Sequence, residues 1–466
     1  MDNSLRYYTL FLALTVFLAS CITQQYKSPG VPAANLFRDS TGRDTTTIAD
    51  LDWKAIFTDP KLQDLIEAGL SNNLDLKIAI QRMATAQANY GQTKAAFFPG
   101  LNTGINATRS KASAAALNLP AGLDINLGTT TYRAFLNSSW EADIWGKLSS
   151  SKRSALSSLL ESEAAKRAVQ TQLIATIANQ YYSLLALDKQ LDITVQTVGS
   201  RITEAQTMKE LKEAAIVNGA AVVQSEANRY AAEVSIPDLK QSIRETENYL
   251  SILLAHTPKV ITRGIIDNQS LVNKLLTGLP AQLLRNRPDV QQAEFAFRGA
   301  FENTNTARTY FYPAINITAE GGLSTLKLTD FFNGSVFYNI IGGLTQPLFN
   351  QGVNKARLRI STAKQKEAFY RYQAALLQAG REVSDHLYAY QAAKDKELTR
   401  LKQLEALELS VSYTKELLRY SSSTNYTDVL TSEQGLLSAQ LSGINDRLQQ
   451  LQAIVNLYQA LGGGWK

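Results

Sequence analysis

Two histidines, His256 and His386, and one cysteine, Cys21, are all the imidazole and thiol in this 466-residue chain. Zinc, haem or thiol chemistry would have to be built on them. His256 stands just before Pro258 at an expected helix end, and His386 stands inside a long helical stretch. Neither has a cysteine or a carboxylate set at ligand spacing, and a single cysteine permits no internal disulfide. Gly462-Gly463-Gly464 neither follows a strand nor opens a helix, so it reads as a helix stop rather than a phosphate loop. An enzyme is therefore the least favoured class, and no catalytic, metal or cofactor residue is assigned.

Cys21 carries a different chemistry. Arg6 precedes an apolar stretch, Tyr7 to Leu18, and the sequence then reads Leu18-Ala19-Ser20-Cys21. A charged start, a short apolar core and small residues describe a secretory signal, too short for a good spanning helix. An aliphatic residue and two small ones before the cysteine resemble a lipoprotein signal, which makes Cys21 the acylated first residue of the mature chain. Each buried methylene of an acyl chain adds about 0.8 kcal/mol of membrane attachment. Ile22 after the cysteine is compatible with sorting to the outer membrane.

Composition sets the remaining limits. Hydrophobic residues make up 45% and charged ones 19%, which excludes disorder. The net charge of +6 is spread along the chain, with no basic arm for nucleic acid. No run beyond the first 20 residues is long and apolar enough for a membrane helix.

The strongest organising signal is a duplication. Asp75, Ala79, Phe97 and Pro99 recur at one offset as Asp289, Ala293, Phe311 and Pro313. Val222 to Glu226 corresponds to Val429 to Glu433 at a slightly shorter offset. Each half reads as helix, strand, loop, strand, very long helix, second helix. The expected segments are a signal (1–20), an N-terminal segment (21–60), a first repeat (61–256), a linker (257–279) and a second repeat (280–466).

From Leu148 to about Glu213 there is no proline, and apolar residues follow a heptad series. The series is Ile174, Ile177, Tyr181 and Leu184, then Leu191, Val195, Val198, Ile202 and Ala205, with Asp188 as a miss. Leu376, Val383, Tyr390, Leu404, Val411 and Leu418 form a second series, broken at Glu397. Leu437, Leu441, Ile444, Leu448, Leu451, Val455 and Tyr458 form a third. A helix of some 65 residues is on the order of 100 Å long, beyond a globular domain. Asn218-Gly219 ends the first long helix and Ser421-Ser422-Ser423-Thr424-Asn425 the second, each followed by a shorter returning helix in which Pro237 is an expected kink. The two turns are thus expected side by side at an exposed tip.

Four stretches alternate with period two, near Leu101–Thr108, Tyr132–Asp143, Ile315–Glu320 and Tyr338–Leu344. Aromatic residues mark their ends: Phe97, Phe98, Tyr310, Phe311 and Tyr312 before, Trp145 and Phe349 after. A pair of soluble hairpins would give the same signal. In a lipoprotein, however, four strands leave edges that lipid does not tolerate, and a small barrel needs about eight. Three copies would supply about 12 and close the sheet around a polar lumen.

In this order the segments resemble the TolC-like outer-membrane efflux channels, in particular the lipidated branch that partners RND pumps. The resemblance rests on Asp52-Trp53, Phe57-Thr58-Asp59-Pro60-Lys61-Leu62, Asn72-Asn73-Leu74-Asp75-Leu76, Trp140-Glu141-Ala142-Asp143-Ile144-Trp145-Gly146-Lys147, Leu283-Leu284-Arg285-Asn286-Arg287-Pro288-Asp289 and the ending Asn456 to Trp465. It implies an α+β membrane protein: a trimer with a 12-stranded β-barrel in the outer membrane, continued by a 12-helix coiled-coil tunnel in the periplasm. Residues near Gly30–Asp50 and Thr257–Gly278 would form a belt around the tunnel. The implied partners are identical copies, a periplasmic adaptor at the tips Asn218, Gly219 and Ser421 to Asn425, an inner-membrane RND-type transporter and outer-membrane lipid. Gating rings of leucine and aspartate in lipidated relatives map here onto Thr427 and Thr431, so the implied gate is a polar collar of Thr427, Thr431 and the neighbouring Asp428. The resemblance implies passive export of small solutes or drugs. The conduit of a type I secretion-like system and a non-pore lipid-anchored coiled-coil scaffold are the alternatives.

Overall fold

The structure is a computed structural model that describes residues 23–29, 36, 38, 47–117, 126–270, 285–420 and 426–465. The signal segment, Cys21 and the turn Ser421, Ser422, Ser423, Thr424 and Asn425 lie outside the described residues, as do most of the first expected belt segment and residues 271–278 of the second. In chain order the helices are α1 (Trp53–Ile56), α2 (Pro60–Asn72), α3 (Leu74–Ala95), α4 (Lys147–Glu213), α5 (Gly219–Leu253), α6 (Pro288–Thr309), α7 (Val353–Tyr420) and α8 (Tyr426–Ala460). Strands β1 (Gly100–Lys111) and β2 (Gly128–Ala142) fall between α3 and α4, and β3 (Ala314–Thr325) and β4 (Val336–Thr345) between α6 and α7. The two halves therefore repeat the same order of elements. Contacts divide the chain into two compact units, one of residues 1–29, 84–161 and 293–371, the other of 30–83, 162–292 and 372–466. Both repeats contribute to both units.

The first unit holds one antiparallel sheet in the order β1-β2-β3-β4. The register pairs Ile105 with Ala134, Leu136 with Gly321, and Ala319 with Ile340. Because side chains alternate along a strand, this register gathers Leu101, Ile105, Leu136, Trp140, Ile317, Tyr338, Ile340 and Leu344 on one face. Asn102, Asn106, Arg133, Asn137, Glu320 and Asn339 share the other. The apolar face is bare: Ile105 is 85% exposed and Tyr338 83%. Among the described residues β1 and β4 each pair on one side alone.

The quoted motifs are local fastenings. Asp143 accepts from the amides of Leu148 and Ser149 at 2.8 and 2.9 Å and so caps α4. Gly146 takes φ +72° in that turn, Lys147 pairs with Glu141 at 2.9 Å, and Trp145 donates to the Pro313 carbonyl at 2.7 Å. Trp145 also stacks on Tyr312, with ring centroids 5.2 Å apart. In the Asp59-Pro60 motif, Asp59 Oδ1 caps α2 through the Lys61 amide, while Asp59 Oδ2 accepts from Tyr181 at 2.5 Å and Gln269 at 2.8 Å.

In the second unit Ile174, Ile177, Tyr181 and Leu184 are buried, as the heptad series predicts, and so are Leu376 and Val383 on α7 and Leu451, Val455 and Tyr458 on α8. Beyond Asp188 the series differs. Val195 and Ile202 are 49% and 45% exposed, and the buried stripe is Thr194, Val198, Arg201, Ala205 and Met208. Asp188 is turned toward Arg263, which donates to both its oxygens and also pairs with Glu247. Past that point Val198 and Ala205 of the series stay buried, while Thr194 and Arg201 take the inward places expected for Val195 and Ile202. In the same unit α5 runs on through Pro237.

Candidate channel surfaces and helical tips

Asn218, predicted at the first turn, caps α5: its side chain accepts from the Ala221 amide at 3.1 Å, and Gly219 is the first residue of that helix. Chain reversal from α4 uses Ala215 at φ 55°. Across from it, α8 begins at Tyr426, which is buried with Met208 and Val222 and flanked by Leu211, Ala221 and Leu418. Tyr426, Val429 and Leu430 form the buried side of the first turns of α8. Thr427, Asp428 and Thr431 are all exposed. Their spacing puts them on one side of the helix, and Thr431 Oγ1 donates to the Thr427 carbonyl at 2.8 Å. Asp428 lies in the first turn, where the helix dipole favours a negative charge.

One turn further in, a group that the sequence reading passed over ties three helices together. Lys415 of α7 reaches Glu204 of α4 at 2.9 Å and Glu433 of α8 at 2.5 Å. Burial raises the Glu204 carboxyl to about 7, helped by its hydrogen bond to Glu433 and opposed by Lys415. Burial works against the Lys415 ammonium, but the bonds to Glu433 and Glu204 outweigh it and hold its pKa above the usual lysine value. Arg201 donates to the Asn228 carbonyl at 2.6 Å beside this group. Glu204 and Lys415 fall outside the heptad series; the only sequence signal was Glu433, two residues past Thr431.

At the start of α6 the Arg287-Pro288-Asp289 motif closes a second buried knot. Arg287 binds both oxygens of Asp289, Glu382 at 2.7 Å and the Ala460 carbonyl at 3.0 Å. His386, one turn beyond Glu382, has its pKa lowered by burial, against the pull of Glu382 and Asp385. Among the described residues no group of His, Cys, Asp and Glu is placed to hold a metal ion, and no helix is long and apolar enough to cross a membrane.

The sheet offers the other surface. Its polar face carries the Arg133–Glu320 pair at 2.5 Å, and its opposite face carries exposed Leu, Ile, Val, Tyr and Trp side chains among small residues such as Ala134, Ser138, Ala319 and Gly321. At one end Trp140 donates to the Phe97 carbonyl at 2.9 Å, which fastens the aromatic cluster to the strand ends.

Comparison with known proteins agrees with this geometry. The sequence profile of the outer membrane efflux protein family matches residues 65–256 and 279–463. The chain is 29% identical over 466 residues to the probable efflux pump outer membrane protein TtgC of Pseudomonas putida, covering 98% of this chain and 95% of TtgC. It is 27% identical over 460 residues to the probable outer membrane lipoprotein SilC of Salmonella typhimurium, covering 97% of each. The open-state MtrE outer membrane channel of Neisseria gonorrhoeae superposes with a TM-score of 0.84 at 26% identity, over 95% of this chain and 98% of MtrE.

Proposed function

Since the chain belongs to the outer membrane efflux protein family and is an outer-membrane channel component of a tripartite efflux system, we propose that three copies form its passive conduit. Small solutes or drugs handed over by a periplasmic pump complex leave through it. The observation that carries this reading is the sheet register, with one apolar face, one polar face and two single-sided margins. Such a wall is stable in lipid only when its margins meet those of identical neighbours. Three copies bring 12 strands into one barrel and their long helices into a 12-helix coiled-coil barrel.

In this reading Cys21 is lipidated. Asn218, Gly219 and Ser421 to Asn425 face a periplasmic adaptor, which couples the channel to an RND-type transporter. Thr427, Asp428 and Thr431 form the periplasmic gate, because a threefold axis makes each of them a ring of three. The Lys415 tie to Glu204 and Glu433 holds the two hairpins of one chain together behind that gate. The channel itself carries no catalytic step.

Planar-bilayer recording of the purified full-length protein tests this. Single-channel conductance is expected, and Thr431→Asp should change it or its pH dependence while Ser422→Asp does little. Equal effects of the two substitutions would place the gate elsewhere, and absence of any conductance from a trimer would favour a scaffold without a pore.

A further inference from the structure

One level of the polar face of the sheet runs glycine, phenylalanine, glycine, phenylalanine across all four strands. Gly104 pairs with Phe135, Phe135 with Gly322, and Gly322 with Phe337. To one side lies the row Asn106, Arg133 and Ser324, to the other the row Asn102, Asn137, Glu320 and Asn339. The side chain of Arg133 crosses the aromatic row. Its guanidinium lies 4.7 Å from the centroid of the Phe337 ring and 5.6 Å from that of Phe135, and Nη2 donates to Glu320 Oε1 at 2.5 Å. Gly104 makes room for the Phe135 ring, since a Cβ there would stand 2.8 Å from the Phe135 Cζ. Gly322 lets the backbones of β2 and β3 approach closely, since a Cβ there would run into the Ala134 carbonyl at 2.1 Å.

A flat cation held by a carboxylate over an aromatic ring is the recognition geometry for a planar organic cation. Here the chain supplies the cation itself. The side chains of Arg133 and Glu320 are 36% and 28% exposed, so water reaches both, and a long arginine leaves such a place by a change of rotamer. We propose that the Gly104–Phe135–Gly322–Phe337 row with Glu320 is a transit site for planar organic cations, and that Arg133 is its exchangeable resident occupant. The proposal rests on the barrel reading, in which the polar face lines the lumen. Three copies would repeat the site at one level. With Arg133 in place the site is neutral, so it binds a passing solute weakly enough to release it, as conduction requires. A compact, strongly hydrated inorganic cation can meet Glu320 but gains little from the rings.

The test uses the full chain in proteoliposomes with Asn106→Cys placed beside Arg133, and the parent chain as the blank for Cys21. The rate at which an impermeant sulfonate thiol reagent modifies the new cysteine is measured with ethidium or with an equal concentration of added potassium present. Ethidium should slow modification, and potassium should not. Adding Arg133→Gln should vacate the site and strengthen ethidium protection about threefold, and Glu320→Gln on top of it should abolish the gain. Arg133→Lys, which keeps the charge but not the plane, should also strengthen protection and serves if the glutamine variant does not assemble. Equal protection by both cations, or no gain on replacing Arg133, would make Arg133 a stitch between strands and overturn the proposal. Ile105→Cys separates this from failure of the barrel reading. Its thiol should be unreactive, whereas a reactive Ile105→Cys variant beside a silent Asn106→Cys variant would sink the lumen assignment itself.

Discussion

Glu204 is a carboxyl whose protonation changes near neutral pH. Its folded-state pKa of about 7 lies above the ordinary glutamate value of 4.5. A carboxyl raised in this way contributes stability that is fully present below the ordinary value and is lost as pH rises through about 7. The contact among α4, α7 and α8 should therefore tighten on acidification from pH 8 to 5.5. Amide-exchange protection around residues 200–208 and 429–437 should rise by at most about tenfold per pH unit, and Glu204→Gln should make it flat. A protection profile equally steep in the glutamine variant would assign the pH response to another group. The same scale explains the breaks in the heptad series. Asp188 was legible only as a miss, because its partner Arg263 is 75 residues away. Glu397 is a second miss for the same reason: its carboxylate accepts from Gln450 of α8 at 3.1 Å. Pattern reading finds where an apolar residue is wanting; it does not find the distant cation or amide that makes a polar one welcome.

At the scale of elements, caps and stops were the most readable features, because their partners are a few residues away. Asn218 and the final glycines stand where the sequence placed them. Gly462 takes φ +88° just after α8, and a Cβ there would stand 2.4 Å from the Asn286 carbonyl. Gly462→Ala should cost about 2 kcal/mol or more, since both the backbone twist and the neighbouring Arg287 knot resist it. Gly199→Ala, on an open side of α4, should be neutral or slightly stabilising. Denaturant midpoints of the two variants check this, and equal midpoints would contradict it. The strands were legible through their alternation, and the register keeps each alternating set of the paired residues on one face of the sheet. The distal half of α4 was less so. Val195 and Ile202 are apolar but exposed within one chain, whereas the adjacent Thr194 and Arg201 are buried, so hydrophobicity alone picked the wrong neighbour at those two positions.

For the whole molecule, the decisive asymmetry is between the faces of the sheet. Ile105→Lys puts a charge on the apolar face and should cost roughly 2–4 kcal/mol if it lies near mid-bilayer. Asn106→Lys, one residue on, should be accepted on the polar face. The yield of heat-resistant assembled protein in outer-membrane fractions measures the difference, and equal yields would mean that lipid does not cover this face. The duplication, the tally of strands and the need for partners were all legible in the sequence, because they follow from repeat and period. The aromatic row was not: it exists only once Gly104, Phe135, Gly322 and Phe337, scattered over more than 230 residues, are brought to one level by pairing.

Among the described residues strands β1 and β4 each have a neighbour on one side alone, and this has a genetic consequence. Under threefold closure every margin is completed by another polypeptide, so one defective copy spoils two sound ones. If half the copies in a cell carry a damaged margin, only about one ring in eight is built wholly from sound ones. Alleles that injure β1 or β4 should therefore act as dominant poisons beside an intact gene, whereas null alleles of the same locus should be recessive.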